Sequence, residues 1–205
     1  TEAWTVPAFQ LTISADMERA EALVARAREL DPEVRVTVTD VLTKLCAQAL
    51  VRHADVNVQF AGDSILRFPT ANIGIAVAAP QGLVVPVIGS AERLTLAEIA
   101  GARGAIVDKA RSNKLTQGDL EGGTFTISNL GMFGVEQFIA VLNPPQAAIL
   151  AVGATEQRPV VRDGQIVARP MVTLTLTVDH RAVDGAQAAA FLQTLKAFVE
   201  IGRAH

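Results

Sequence analysis

The order of elements along this chain predicts an α+β sandwich rather than a parallel, doubly wound sheet. Three observations carry this reading. Helical patterns are segregated instead of alternating strictly with strands, hairpin signals at Gly62-Asp63 and Asp163-Gly164 join neighbouring strand patterns, and residues 124–178 are strand-rich.

Each element follows from its own pattern. Residues 8–14 read as a strand, with Phe9, Leu11 and Ile13 alternating with polar neighbours. Residues 16–30 read as a helix with Met17, Ala20, Leu23, Val24, Ala27 and Leu30 at helical spacing, ended by Asp31-Pro32. A second helix runs from Thr39 or Asp40 to His53, and short strands at 56–61 and 64–68 flank Gly62-Asp63. Strands at 73–79 and 83–88 join at Pro80-Gln81-Gly82. The helix at 94–111 has Thr95 and Glu98 as a cap pair. Further strands are expected at 124–128, 147–153, 159–162, 165–168 and 171–178, and a last helix at 185–199. No linker, repeat or low-complexity stretch interrupts this order, so residues 1–205 read as one domain.

Composition narrows the class. Half of the 205 residues are hydrophobic and 19% are charged, with a net charge of -3, which argues for a packed globular protein and against disorder or nucleic-acid binding. Aromatic residues make up only 4%, so the core must be built from Ala, Val, Leu and Ile. So apolar a chain also implies apolar surface buried between subunits. No apolar run reaches the ~20 residues of a membrane span, and the first residues lack the pattern of a signal peptide. The single cysteine, Cys46, lies in a helical pattern and reads as a buried core residue. A reducing compartment, cytosol or mitochondrial matrix, fits.

The segment Val178-Asp179-His180-Arg181-Ala182-Val183-Asp184-Gly185 carries most of the functional information. It puts a histidine where a strand gives way to a helix, a place where a proton-transfer group is held rigidly yet reached by substrate. The other histidines, His53 near a helix end and His205 at the terminus, have no such frame. Structural readings stand beside this one. Asp184 fits an N-cap with Gln187 completing a capping box, Arg181 fits a surface partner for a carboxylate, and Ser128 fits a strand-end turn.

Asp179-His-Arg-x-x-Asp-Gly185 resembles the active-site signature of the dihydrolipoamide acyltransferases, cores of the 2-oxo acid dehydrogenase complexes, whose fold and related His-x-x-x-Asp-Gly pattern chloramphenicol acetyltransferase shares. Three more segments are similar to that family in collinear order: Asn72 to Val87, Gly123-Thr-Phe-Thr-Ile-Ser-Asn-Leu-Gly-Met-Phe-Gly134, and Asn143-Pro-Pro-Gln-Ala-Ala-Ile-Leu150. The resemblance implies a two-layer sandwich, a mixed sheet with helices on one face. It implies acyl transfer from the dihydrolipoyl group of a lipoyl domain to coenzyme A, with no metal. By the same carry-over His180 is the general base, Ser128 the donor to the oxyanion, and Asp184 a supporting residue that braces the loop. Gly131 and Gly134 permit a close turn beside the acyl site. Replacing Asp184 with asparagine is then expected to cost both activity and thermal stability.

The resemblance further implies a trimer with the site between subunits, and a decarboxylase and a dihydrolipoamide dehydrogenase as partners in the full complex. Within the family the second and third motifs look most like the pyruvate, acetyl-transferring branch, with succinyl and branched-chain transferases as alternatives. Residues contacting coenzyme A are not assigned by any motif. Lipoyl domains, the peripheral-subunit-binding domain and a leading helix of the family core have no counterpart in this sequence, so it reads as a trimmed core; that helix is where the resemblance puts an arginine partner for Asp184. The ending Phe198 to His205 departs from the leucine-rich tail that docks trimers into cages, which favours a free trimer. A silent scaffold and a stand-alone small-molecule O-acetyltransferase are the readings from other classes; intact His180 and Ser128 argue against the first, and the lipoyl-family form of the middle motifs against the second.

Overall fold

A computed structural model describes residues 5–201. Its elements are β1 (Ala8–Asp16), α1 (Glu18–Leu30), α2 (Val38–Arg52), β2 (Val58–Phe60), β3 (Ile65–Arg67), β4 (Ile73–Ile75), β5 (Val77–Ala79), β6 (Gly82–Val84), β7 (Val87–Ile88), α3 (Leu96–Arg111), α4 (Gln117–Leu120), β8 (Phe125–Asn129), β9 (Ala148–Val152), β10 (Glu156–Arg162), β11 (Gln165–Asp179) and α5 (Gly185–Ile201). One sheet has the order β1-β11-β9-β8-β4-β7, with β10 paired to β11. It is mixed: β8 runs parallel to β9 and β4, and the remaining pairings are antiparallel.

Alternation along the strands divides this sheet into two faces. Phe9, Leu11 and Ile13 of β1 stand opposite Val178, Leu176 and Leu174 of β11. These residues join Phe125, Ile127 and Leu150 and the buried stripes of the helices, among them Leu42, Leu45, Leu192 and Leu195, in the main core. The interleaved Thr173, Thr175 and Thr177 point the other way. On that second face Ala140, Leu142, Ile149 and Ala151 form a small cluster with Phe138 and Val6, and no helix residue among those described enters it. The α+β sandwich with helices on one face is therefore as the sequence and the resemblance indicated.

Local signals act as expected at several boundaries. The Thr95 and Glu98 side chains exchange the reciprocal bonds of a capping box at the start of α3. Asp163 and Gly164 both take positive φ, 50° and 77°, at the β10–β11 turn. Cys46 is fully buried in α2, and burial pushes its thiol far above the ordinary range.

Other boundaries move. Residues 165–168 and 171–178 belong to one fifteen-residue strand, β11, because its partner changes from β10 to β9 while β1 pairs along its other edge. Pro170, which looked like a break, keeps its carbonyl as an acceptor for the Met17 N–H. The expected strands at 73–79 and 83–88 each split in two. Their outer halves β4 and β7 stay in the main sheet, whereas β5 and β6, nearest the turn, form a separate hairpin. Pro86, which has no N–H to donate, sits where the second of them splits. The short α4, begun by a Thr116–Asp119 capping box, was not anticipated. Helix α1 starts later than expected, since Asp16 ends β1 and its carboxylate accepts the Glu18 N–H. The terminal stretches, including His205 and half of the departing tail, lie outside the described residues.

His53, at the C-cap of α2, ties that helix to α5 through a 2.7 Å hydrogen bond between Nε2 and the Thr194 hydroxyl, and its ring meets Phe191 edge-on. Burial, with the neighbouring Arg52, lowers its pKa, while Asp55 opposes the shift. A histidine whose folded pKa lies below its unfolded value makes the unfolded chain bind more protons as pH falls. Stability is then fully present above about pH 6.5 and declines below it. The melting temperature should drop between about pH 7.5 and about pH 5.5, and His53→Gln should flatten part of that drop. An identical pH dependence in both proteins would assign the effect to other groups.

Candidate active site

His180 stands just beyond β11, and the main chain around it is heavily bonded. Its N–H donates to the Pro7 carbonyl at 2.9 Å, and its exposed ring packs on Phe9 with centroids 4.6 Å apart. Asp179, the last residue of β11, is 3% exposed. Its N–H donates to the Ala147 carbonyl, and its own carbonyl accepts from Ala182 and Val183. This turn reverses the chain into α5.

Arg181 is paired, as its carboxylate-partner reading required, and the partner is Asp179. Nε and Nη2 reach the two carboxylate oxygens at 2.9 and 2.7 Å, and the fork geometry suits a guanidinium. The bond to Asp179 raises the Arg181 pKa, so the group keeps its charge. The guanidinium lies 4.0 Å over the Phe60 ring at the end of β2. A cleft of about 360 Å³ opens beside this stack, bordered by Val6, Phe60, Pro144, Gln146 and Arg181.

Asp184 is exposed and acts as the N-terminal brace of α5. Its Oδ1 accepts the Gln187 N–H at 2.8 Å, and Gln187 Oε1 accepts the Asp184 N–H at 2.9 Å. No ion pair to Asp184 occurs among the described residues. This geometry corrects the expectation for Asp184→Asn: an asparagine oxygen accepts the same bond, so that variant keeps the cap. Asp184→Ala should instead cost about 1 kcal/mol, or roughly 2–4 °C in melting temperature, and Asp184→Asn only a few tenths of that. Thermal denaturation of the two variants checks the difference.

Ser128 sits near the end of β8 on the helix-free face, half-buried. No hydrogen bond among the described residues engages its hydroxyl. The following chain is locked over the end of β9. Gly131 N–H donates to Asn129 Oδ1, Ala154 N–H donates to the Val135 carbonyl at 2.7 Å, and Gly134 takes a positive φ of 72°. The close turn expected of Gly131 and Gly134 is present. This loop exposes Met132 and Phe133, and Ile139 and Val141 follow in the same segment.

The register separates the two candidate residues. Ser128 pairs with Ala151, Ala151 with Thr175, and His180 lies five residues further along β11. At strand spacings this is roughly 16 Å along the sheet and roughly 10 Å across it. One copy of the chain does not bring Ser128 and His180 together, whereas Asp184 does share the His180 turn. Sequence reasoning passed over Asp179, Gln146 and Phe60. Asp179 belongs to the His180 motif, but nothing local shows that its carboxylate is buried. Gln146 lies within the Asn143 to Leu150 motif, but its bond, accepted from the Thr126 hydroxyl at 2.6 Å, comes from another strand, and Phe60 comes from a distant hairpin with no signal in its own segment.

Comparison with known proteins agrees with this architecture. Residues 1–203 match the family model of 2-oxoacid dehydrogenases acyltransferase, catalytic domain. The chain is 40% identical over 200 residues to the dihydrolipoyllysine-residue acetyltransferase component of the pyruvate dehydrogenase complex of Zymomonas mobilis, covering 95% of this chain and 45% of that protein. It is 42% identical over 199 residues to the mitochondrial counterpart from Schizosaccharomyces pombe, covering 95% of this chain and 41% of the relative. It thus spans about half the length of the curated relatives it matches, or slightly less. Among solved structures, the dihydrolipoamide acetyltransferase of Azotobacter vinelandii superposes with a TM-score of 0.94 at 36% identity, over 99% of this chain and 86% of that one. Chloramphenicol acetyltransferase, at 11% identity over 95% of this chain and 89% of its own, shares the fold alone, with a TM-score of 0.59. With the motifs, the sheet order and these similarities in agreement, this chain belongs to the family of 2-oxoacid dehydrogenase acyltransferase catalytic domains.

Proposed function

We propose that residues 1–205 form a single catalytic domain that transfers an acetyl group from the dihydrolipoyl arm of a lipoyl domain to coenzyme A, as the core of a pyruvate dehydrogenase complex. The observation that carries this reading is the placement of Ser128 and His180. The Azotobacter relative was studied for the roles of a serine, a histidine and an asparagine in its catalytic mechanism, and these fall at the same intervals along its chain as Ser128, His180 and Asp184 here. Asparagine in the third position has no proton to exchange near neutrality, which favours the brace role for Asp184.

The chemistry needs a base because a coenzyme A thiol is mostly protonated near neutrality. His180 takes that proton, and the thiolate attacks the thioester carbonyl, forming a carbon–sulfur bond. The oxyanion accepts a hydrogen bond from the Ser128 hydroxyl. Collapse breaks the bond to the lipoyl sulfur, which leaves with the proton from His180. No protein thiol takes part: Cys46 is buried and its raised pKa disfavours the thiolate.

Because Ser128 and His180 lie at opposite ends of the sheet, the site is completed between copies, in a trimer. The exposed Met132, Phe133, Ile139 and Val141 beside Ser128 supply apolar surface for such an interface. The trimer works with the decarboxylase and dihydrolipoamide dehydrogenase components in cytosol or mitochondrial matrix. Light scattering on the purified chain distinguishes a trimer from a larger cage.

Co-assembly of Ser128→Ala and His180→Ala chains tests the site. Each variant alone is expected to be nearly inactive, while random mixed trimers regain about a quarter of the sites, each with an intact serine and histidine from neighbours. Persistent inactivity in proven mixed trimers would remove the shared site. Running the reverse reaction with acetyl-, succinyl- and isobutyryl-coenzyme A should favour acetyl; a preference for either of the others would move the chain to a sister complex.

A further inference from the structure

Neither ring nitrogen of His180 is hydrogen-bonded among the described residues, and Phe9 is the ring's aromatic neighbour. The direction of the ring is therefore set by the main chain from which it grows. We propose that the Asp179–Arg181 ion pair, backed by Phe60, is a positioning device for His180. This rests on the reading of His180 as the general base.

The geometry closes around one residue. The Asp179 carboxylate accepts the Arg181 main-chain N–H at 3.0 Å as well as its guanidinium, at 2.9 and 3.2 Å from Nε and 2.7 Å from Nη2. Residues on both sides of His180 are thereby tied to the same carboxylate, which bridges the peptide units around the His180 Cα. Arg181 is held in turn by the Phe60 ring, and the Phe60 N–H is bonded to the Pro145 carbonyl at 3.2 Å. Positioning suits this pair better than a stabilising role alone. Burying Asp179 removes hydration from its charge, so the attraction of the pair is largely offset. A general base, in contrast, loses about 10²-fold when misplaced by about 1 Å. Lysine does not reproduce the fork, since it has a single point charge and no plane to lie on Phe60.

The test compares Arg181→Lys, Asp179→Asn and His180→Ala in the full chain, assayed for acetyl transfer between acetyl-coenzyme A and dihydrolipoamide. Arg181→Lys should lower kcat at least about tenfold, with both KM values within about twofold and the melting temperature nearly unchanged. Asp179→Asn should follow the same pattern more strongly; if it does not fold, the lysine variant decides. An unchanged kcat, or a loss matched by a rise in KM, would overturn the positioning role. Full activity in His180→Ala would overturn the base assignment itself. An inactive His180→Ala beside a fully active Arg181→Lys would overturn the positioning role alone.

Discussion

Replacing His180 with alanine is expected to lower kcat for acetyl transfer by roughly 10²- to 10⁴-fold, the usual contribution of a positioned acid–base group. The protein should remain folded. The ring is exposed and packs on the half-buried Phe9, while the bonds that hold the turn come from main-chain groups and from Asp179. Removing the imidazole leaves all of these in place, so the melting temperature should change by no more than about 2 °C. The assay is acetyl transfer to dihydrolipoamide, paired with thermal denaturation. Retained activity would remove His180 from the chemistry. On the role proposed for Ser128 as a donor to the oxyanion, Ser128→Ala is expected to cost about 10²- to 10³-fold.

Gly153→Ala should have the largest effect on stability. A Cβ at Gly153 would lie 2.0 Å from the Glu136 carbonyl oxygen and 2.8 Å from its carbon. The obstruction is main chain, held by the Ala154–Val135 hydrogen bond, so it has no rotamer to change. Gly131 faces the same crossing, with its Cβ position 2.6 Å from the Gly153 carbonyl oxygen. Overpacking costs about 1–3 kcal/mol even where side chains give way, so this variant should lose about 3 kcal/mol or more, roughly 6–12 °C. Activity should fall as well, since the displaced loop follows directly from Ser128. Gly104→Ala is the control. Its Cβ meets nothing within 4 Å in α3, and helix propensity should raise stability by about 1 kcal/mol. Equal melting temperatures for Gly153→Ala and the unaltered protein would show that the crossing relaxes freely.

How far the sequence could be read is clearest at particular residues. Thr95 with Glu98, Asp163-Gly164 and Asp184 with Gln187 were legible because caps and turns are settled within four residues. The alternation of Phe9, Leu11 and Ile13 against polar neighbours likewise announced which face of β1 meets the core. The continuous β11 was not legible. Arg169-Pro170 looks like an interruption, and only pairing with β10 carries the strand through it. At the candidate site, His180 and Asp184 could be grouped because they share one turn. The carboxylate that grips Arg181 is equally close in sequence, yet its importance comes from burial and from Phe60, more than a hundred residues away.

By itself, the sequence determined the types of element, their caps and turns, and a motif that puts His180 at the end of a strand. Those depend on periodicity and on bonds between near neighbours. Only the tertiary structure decided the strand order and register. These place Ser128 and His180 at opposite ends of one sheet, where a single copy does not bring them together. The physical reason is that register follows from burying one face of every strand at once, a condition no single segment contains.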